Sequence, residues 1–426
     1  MTHPRRLRAN SLLDVARRVD GVSPFVVGES ERDGSTPRRP RRFSYSLPAE
    51  LATVPRVWSP TLRAAFVLAL VGLFWGLTAK VTRADTIVLR DFTTLEDVTI
   101  ARIDEQGVQL VGSRRLGWGE IRYGEVSGDQ QADFDRWLNE FGPTLYRLRY
   151  RLDLRDDGGA GPIAESLADS FGDSSSTAGQ LVQLGLYRFH LSQGERAHAL
   201  AAWLALQRPF DSAQDARSPR FSWPQTKSDG LWDPQLPPVW FDTEEAAKAL
   251  PIVVAELERL PNPSPACRLY VASLALAVGD RSLAQEQLRL SNPATPGQQD
   301  WLSVIRLQES RAAGQAGERI ASLDQRIDQM EPQLQSLARY ELGLAKISVG
   351  SAASVPRGLI ELLRVPAEQG DLAPEIAAAA LWRAALTMQG LEQASAAARV
   401  RNELMRQFPE TWHGQALRDG RITLAP

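Results

Sequence analysis

The alternation of apolar and polar residues divides this chain into three stretches. Residues 64–79, AAFVLALVGLFWGLTA, run for sixteen positions without a charge. Residues 85–124 alternate with a period of two: Ile87 and Leu89, Val98 and Ile100, Val108 and Leu110, Leu116 and Trp118. That period, with turn chemistry at Arg90-Asp91 and at Asp104-Glu105-Gln106-Gly107, predicts a meander of four or five short strands. From about Asp129 the period becomes helical, with Phe134, Trp137, Leu138, Phe141 and Leu145 at spacings of three and four. The clusters DDGGAGP (156–162) and FGDSSSTAG (171–179) predict breaks. The second holds Ser and Thr suited to capping a helix near Gln180.

A spacing then recurs. Gly185, Ala197 and Pro209 lie twelve apart, as do Ala272, Ala284 and Pro296, and again Ala385, Ala397 and Pro409. Gly or Ala lets two helix backbones approach, and Pro closes the second helix of each pair. Leu181 and Leu184 stand at first-helix contacts, Gly279 at an inter-helix turn, and Gly343 at the small position of a weaker copy, YELGLAKISVG. The pattern resembles the tetratricopeptide repeat over about residues 180–417. The resemblance implies antiparallel helix pairs stacked into a solenoid. Arg188 and Ala275 stand where an aromatic is usual and the copies are not contiguous. The expected architecture is therefore mainly α: an irregular α-solenoid of tetratricopeptide-like helix pairs over residues 129–426, preceded by a short antiparallel β-meander over 85–125. An unrelated helical bundle is the competing architecture. The β stretch, with its DTIVLRD opening, is similar to the small SH3-like or Sm-like modules that follow signal peptides in bacterial envelope proteins. A unit that small is expected to lean on the helices after it.

One insertion, at 210–241, interrupts the helical pattern. FSWPQTKSDGLWDPQLPPVWF (221–241) carries too many prolines for a helix. Trp223, Trp232, Trp240 and Phe241 put large apolar groups on this long loop. Two roles fit: rings that pin the loop across the helices, or a partner-binding patch, because Trp is enriched at binding hot spots. These four are the candidate partner-binding residues; Gly185, Ala197, Ala272, Ala284, Ala385 and Ala397 are the repeat-packing ones.

Charge changes the reading of the N-terminal part. The chain carries 49 Lys+Arg and 51 Asp+Glu, but residues 1–84 hold 14 and 6 of these, a net of +8, leaving 35 and 45, a net of −10, for residues 85–426. An acidic body speaks against nucleic acid as partner, because phosphate binding needs a basic face. The uncharged run is shorter than the about 20 residues of a comfortable span and close to the length of a signal core. Arg56 and Arg63 precede it, and Thr82-Arg83-Ala84 before Asp85 resembles a signal-peptidase site cutting between Ala84 and Asp85. Residues 63–84 are thus a signal peptide, or a membrane anchor through 64–79 if uncleaved. Residues 1–62, basic and rich in Pro and Ser, are a disordered tail or reflect a translation start set too early. In each case residues 85–426 are expected outside the inner membrane, in the periplasm or another extracytoplasmic space.

Chemistry-bearing patterns are few. The four His (His3, His190, His198, His413) show no zinc-ligand spacing, no glycine-rich loop ends in Lys-Ser or Lys-Thr, and the single Cys267 sits among apolar neighbours. No catalytic, metal or cofactor residue is expected. The expected function is an exported protein–protein interaction scaffold of the cell envelope, holding another envelope protein or peptide. The alternatives are a hydrolase on a helical-repeat scaffold and an inner-membrane-anchored structural subunit.

Overall fold

A computed structural model describes residues 85–112, 114–174, 176–209 and 231–423. Six short strands open it: β1 (Asp85–Leu89), β2 (Thr94–Val98), β3 (Ile100–Asp104), β4 (Gly107–Leu110), β5 (Arg115–Leu116) and β6 (Ile121–Glu125). They form two three-stranded antiparallel sheets, ordered β2-β1-β6 and β3-β4-β5. The period-two residues Ile87, Leu89, Val108, Leu110, Leu116 and Trp118 turn inward. Gly107 makes the β3–β4 turn at φ 138, where a Cβ would meet the Leu116 carbonyl oxygen. The barrel-like unit leans on α1 (Gln130–Asp153), where Trp118 meets Phe134 edge-on at 5.5 Å.

Thirteen further helices follow among the described residues: α2 (Asp157–Phe171), α3 (Thr177–Gln193), α4 (Arg196–Ala205), α5 (Thr243–Glu258), α6 (Pro265–Val278), α7 (Arg281–Leu290), α8 (Pro296–Ala312), α9 (Gly317–Arg326), α10 (Pro332–Ser348), α11 (Ser354–Gln369), α12 (Pro374–Gly390), α13 (Ala394–Gln407) and α14 (Trp412–Arg418). Consecutive helices pack as pairs, and α4, α6, α8, α10, α12 and α14 touch one another in turn. That contiguous layer makes the chain a mainly-α, solenoid-like fold. The helices between them touch only their neighbours and bury a narrow stripe: Ala284, Gln287 and Leu288 on α7, Leu323 alone on α9. α6 and α12 bury residues on nearly every face.

Close approach explains the small residues. A Cβ on Gly185 would lie 2.8 Å from the Ala164 Cβ. Ala197, Ala272, Ala284 and Ala385 are fully buried and Ala397 is 3% exposed. Gly343 and Gly358 face each other across α10 and α11, where a Cβ on either would sit within 3 Å of the other's carbonyl oxygen. Gly279 ends α6 at φ 86.

One sequence expectation is narrowed and another corrected. The break expected over DDGGAGP falls at 154–156, where the cluster opens: Asp156 caps α2 by accepting from the Gly159 N–H at 3.0 Å, and the glycines run on as helix. Gly161 is needed there because the Phe189 ring occupies the place of its Cβ. Pro296 does not close a helix but opens α8 at its first turn, where no N–H partner is required. No helix of the described residues is long and apolar enough to cross a membrane; residues 64–79 lie outside them. Ala84 also lies outside, whereas Asp85 is buried and its carboxylate accepts from the N–H groups of Ile100 and Ser127.

Candidate functional site

Residues 231–241 lie along the contiguous helix layer as a non-helical strap with a turn closed by the Leu236 N–H on the Asp233 carbonyl at 2.9 Å. Its prolines forbid helix, so its backbone groups must find partners elsewhere. The helices supply them through side chains. Arg196 at the start of α4 donates to the carbonyls of Pro237 at 2.6 Å and Val239 at 3.0 Å. Tyr270 on α6 donates to the Leu236 carbonyl at 2.6 Å and accepts from the Asp233 N–H at 3.0 Å. Ser273, one turn on, donates to the Pro238 carbonyl at 3.1 Å and accepts from the Trp240 indole N–H at 3.1 Å.

The candidate partner-binding residues separate here. Trp223 lies outside the described residues. Trp232 is 1% exposed, edge-on to Trp301 of α8 at 5.2 Å. An indole so enclosed takes the first of the two roles open to it: Trp232 pins the strap rather than offering a surface. Phe241 is half-buried against His413 and Trp412, with ring centroids 4.3 Å and 5.5 Å away. Trp240 is half-buried and, of the three described members, is the one that lines a groove.

That groove, of about 320 Å³, continues from the strap across α6, α8 and α10 to Arg383 on α12. Leu276, Ala312, Leu344 and Ile347 give it an apolar floor. Its polar groups are organised around Glu341, which is 3% exposed. Gln308 Nε2 donates to one Glu341 oxygen at 2.8 Å and Arg311 Nη2 to the other at 3.1 Å. Gln308 is itself 7% exposed, and its Oε1 has no hydrogen-bond partner. The Glu341 carboxylate accepts only, so the Gln308 amide must point its nitrogen inward, leaving the acceptor free. Arg383 is exposed, hydrogen-bonds the Tyr340 hydroxyl, and forms no ion pair among the described residues. With Arg311 and Glu341 cancelling, the groove carries one net positive charge. Burial raises the Tyr340 pKa, and Arg383 pulls it back.

Behind the strap the solenoid curls onto itself. Trp412 at the start of α14 packs where a Cβ on Gly194, in the α3–α4 turn, would come within 2.8 Å. The Trp412 N–H reaches the Glu375 carboxylate at 3.2 Å. Burial raises the Glu375 pKa against the opposing pull of Arg196, and burial lowers that of Arg196 against Glu375. His413 is 4% exposed with Nδ1 unpartnered; burial, with Arg383 and Arg196 adding to it, holds its pKa at about 3. It is a neutral, apolar-packed ring.

His190 and His198, eight apart in sequence, meet at 5.4 Å between ring centroids. Each Nδ1 is held by a glutamate: His190 by Glu195 at 2.8 Å, His198 by Glu245 at 2.9 Å. Glu245 also accepts the Ala197 and His198 backbone N–H groups, capping α4 and tying α5 to it. Its hydrogen bond raises the His198 pKa against burial. Among the described residues no group of three or more His, Cys, Asp or Glu is placed to hold a metal ion. Cys267 is buried, and burial raises its thiol pKa.

No family model, curated protein or solved structure matches this chain. Its site is therefore defined by its own geometry. Sequence reasoning passed over Gln308, Arg311, Glu341 and Arg383. The available signal was a charged or amide residue set into an otherwise apolar helix face, as Glu341 is between Tyr340 and Leu342.

Proposed function

We propose that this chain is an exported, non-catalytic scaffold of the cell envelope whose helix layer, of the tetratricopeptide-like kind, grips a non-helical segment of another envelope protein. One observation carries the reading: the layer already holds such a segment. Arg196, Tyr270 and Ser273 read the backbone of the strap at 236–239, and the groove from Trp240 to Arg383 continues from that strap with an unpartnered acceptor and an unpaired cation. Helical repeats present extended surfaces suited to this task, and the unmet groups are those a peptide's N–H and a carboxylate would satisfy. Export is proposed from the uncharged run and Ala84-Asp85, with a mature chain starting at Asp85. N-terminal sequencing of the cell-derived protein tests the export; a membrane-bound chain starting upstream of residue 64 makes the run an anchor. A photo-cross-linking residue at Ala312, compared with one at Arg357 on α11, tests the groove. A cross-link to one polypeptide from Ala312, lost in Arg383→Glu, is expected. Equal cross-linking from both positions sinks the groove as the site.

A further inference from the structure

A second cavity, of about 270 Å³, lies where the β1–β2 turn and the β5–β6 turn meet α1. Arg90, Arg114 and Arg149 line it, with Asp91, Glu120, Tyr146 and Gly119. Three arginines against two carboxylates leave the lining with one net positive charge in a body whose net charge is −10. The two carboxylates in the lining offset part of this charge but pair with neither Arg90 nor Arg114. Asp91 is turned back onto the Thr93 N–H at 2.9 Å, and Glu120 stands 3.5 Å from Arg149. Arg90 and Arg114 form no ion pair among the described residues. Two other arginines of the module are paired: Arg102 and Arg115 share Asp104 at 3.1 Å and 2.8 Å.

Arg90 is held in place rather than free to swing. Its backbone N–H donates to the Glu120 carbonyl at 2.8 Å, and its guanidinium lies on the Tyr146 ring at 4.4 Å. Gly119 allows the turn to pass against α1, since a Cβ there would come within 3.0 Å of Leu145. Yet the Arg90 Nε is buried without a hydrogen-bond partner. Burial lowers the Arg90 pKa and Arg122 adds to this, while Tyr146 opposes it. A fixed, partly dehydrated guanidinium with unused donors, beside a second unpaired arginine, is complementary to a tetrahedral oxyanion. Tyr146 in the lining is exposed, and the same module exposes Tyr123 and Phe92, the latter at 73% with Arg122 4.8 Å above it. Phe92 sits at φ 66, a conformation a bulky side chain rarely adopts.

We propose that the cavity between Arg90, Arg114 and Arg149 is a binding site for a phosphate group. Exposed rings on the same module suit a phospholipid headgroup; a soluble phosphate ester presents the same chemistry. The site does not depend on the groove reading.

The test uses the full chain. Calorimetric titration with inorganic phosphate and with glycerol 1-phosphate reads the soluble source. Vesicles of phosphatidylcholine, with or without photoactivatable phosphatidylglycerol, read the lipid source, and mapping the cross-linked peptides separates this cavity from the basic residues 1–84. Arg90→Gln and Arg114→Gln are each expected to weaken the signal at least about tenfold, as for one lost charge-assisted hydrogen bond. Arg281→Gln, on α7, is expected to leave it unchanged. Arg114 carries no ring contact, so its variant keeps the test valid if Arg90→Gln misfolds. Phosphate binding without lipid cross-links at this cavity assigns a soluble ester; cross-links on the peptides carrying Arg90 or Tyr146 assign a headgroup. Absence of both signals, or wild-type binding by Arg114→Gln, overturns the site.

Discussion

The helix layer has a filled end and an open end, and they handle the same kinds of groups differently. At the filled end the strap's carbonyls meet Arg196, Tyr270 and Ser273, and its Trp232 closes a cluster with Trp301 and Tyr270. At the open end Gln308 and Arg383 face the groove with an acceptor unpartnered and a cation unpaired. Buried polar groups left without partners cost about 1–3 kcal/mol each. The filled end meets Arg196, Tyr270 and Ser273 by folding its own chain into the face, although the Trp301 indole N–H of its cluster stays without a partner. The open end retains the cost at its groove, which is what a site awaiting a ligand does. Stability should therefore reside at the filled end and binding at the open one.

Truncation at the filled end should have the largest effect. Trp232→Ala removes a fully enclosed indole and should cost about 3–5 kcal/mol in chemical denaturation. A loss below about 1 kcal/mol would mean that the strap does not hold this face together. His413, behind Phe241, offers a pH test of the same region. In the unfolded chain its ring takes a proton below about pH 6.5, whereas in the fold it resists until about pH 3. The unfolded state then binds more protons between those values, so stability falls as pH falls through that window. His413→Phe should remove several kcal/mol of that slope when melts of both proteins are compared from pH 7 downward. Parallel slopes would show a ring already open to water.

Added bulk separates the two ends more finely. Ala272→Leu, at a fully buried position of α6, should cost about 1–3 kcal/mol. Ala312→Leu, on the exposed groove floor, should stay within about 0.5 kcal/mol of wild type while abolishing capture at the groove. Equal melting shifts for the two would erase the distinction. The smallest stability effect belongs to Arg383→Ala, within about 0.5 kcal/mol, with loss of more than about 1 kcal/mol in partner affinity. A variant that melts early yet binds normally would make Arg383 a packing residue.

Much of the architecture could be read from the chain alone, because it follows from local periodicity. A period of two with Gly107 at the turn can only alternate across a sheet, and small residues twelve apart at Gly185/Ala197, Ala272/Ala284 and Ala385/Ala397 put close contacts on paired helices. Gly161 was legible as a glycine but not as a contact, since Phe189 arrives from another helix. Tertiary structure alone decided the rest. Trp232 and Trp240 sit eight residues apart on one proline-rich segment with the same local chemistry. One became core and the other bordered a groove because Trp301 on α8 met the first and left the second beside Ser273. Gln308, Glu341 and Arg383 come from three helices, and nothing in their separate neighbourhoods marks them as a set. Burial, pairing and the want of a partner are properties of surroundings, and these exist only once the helices have packed.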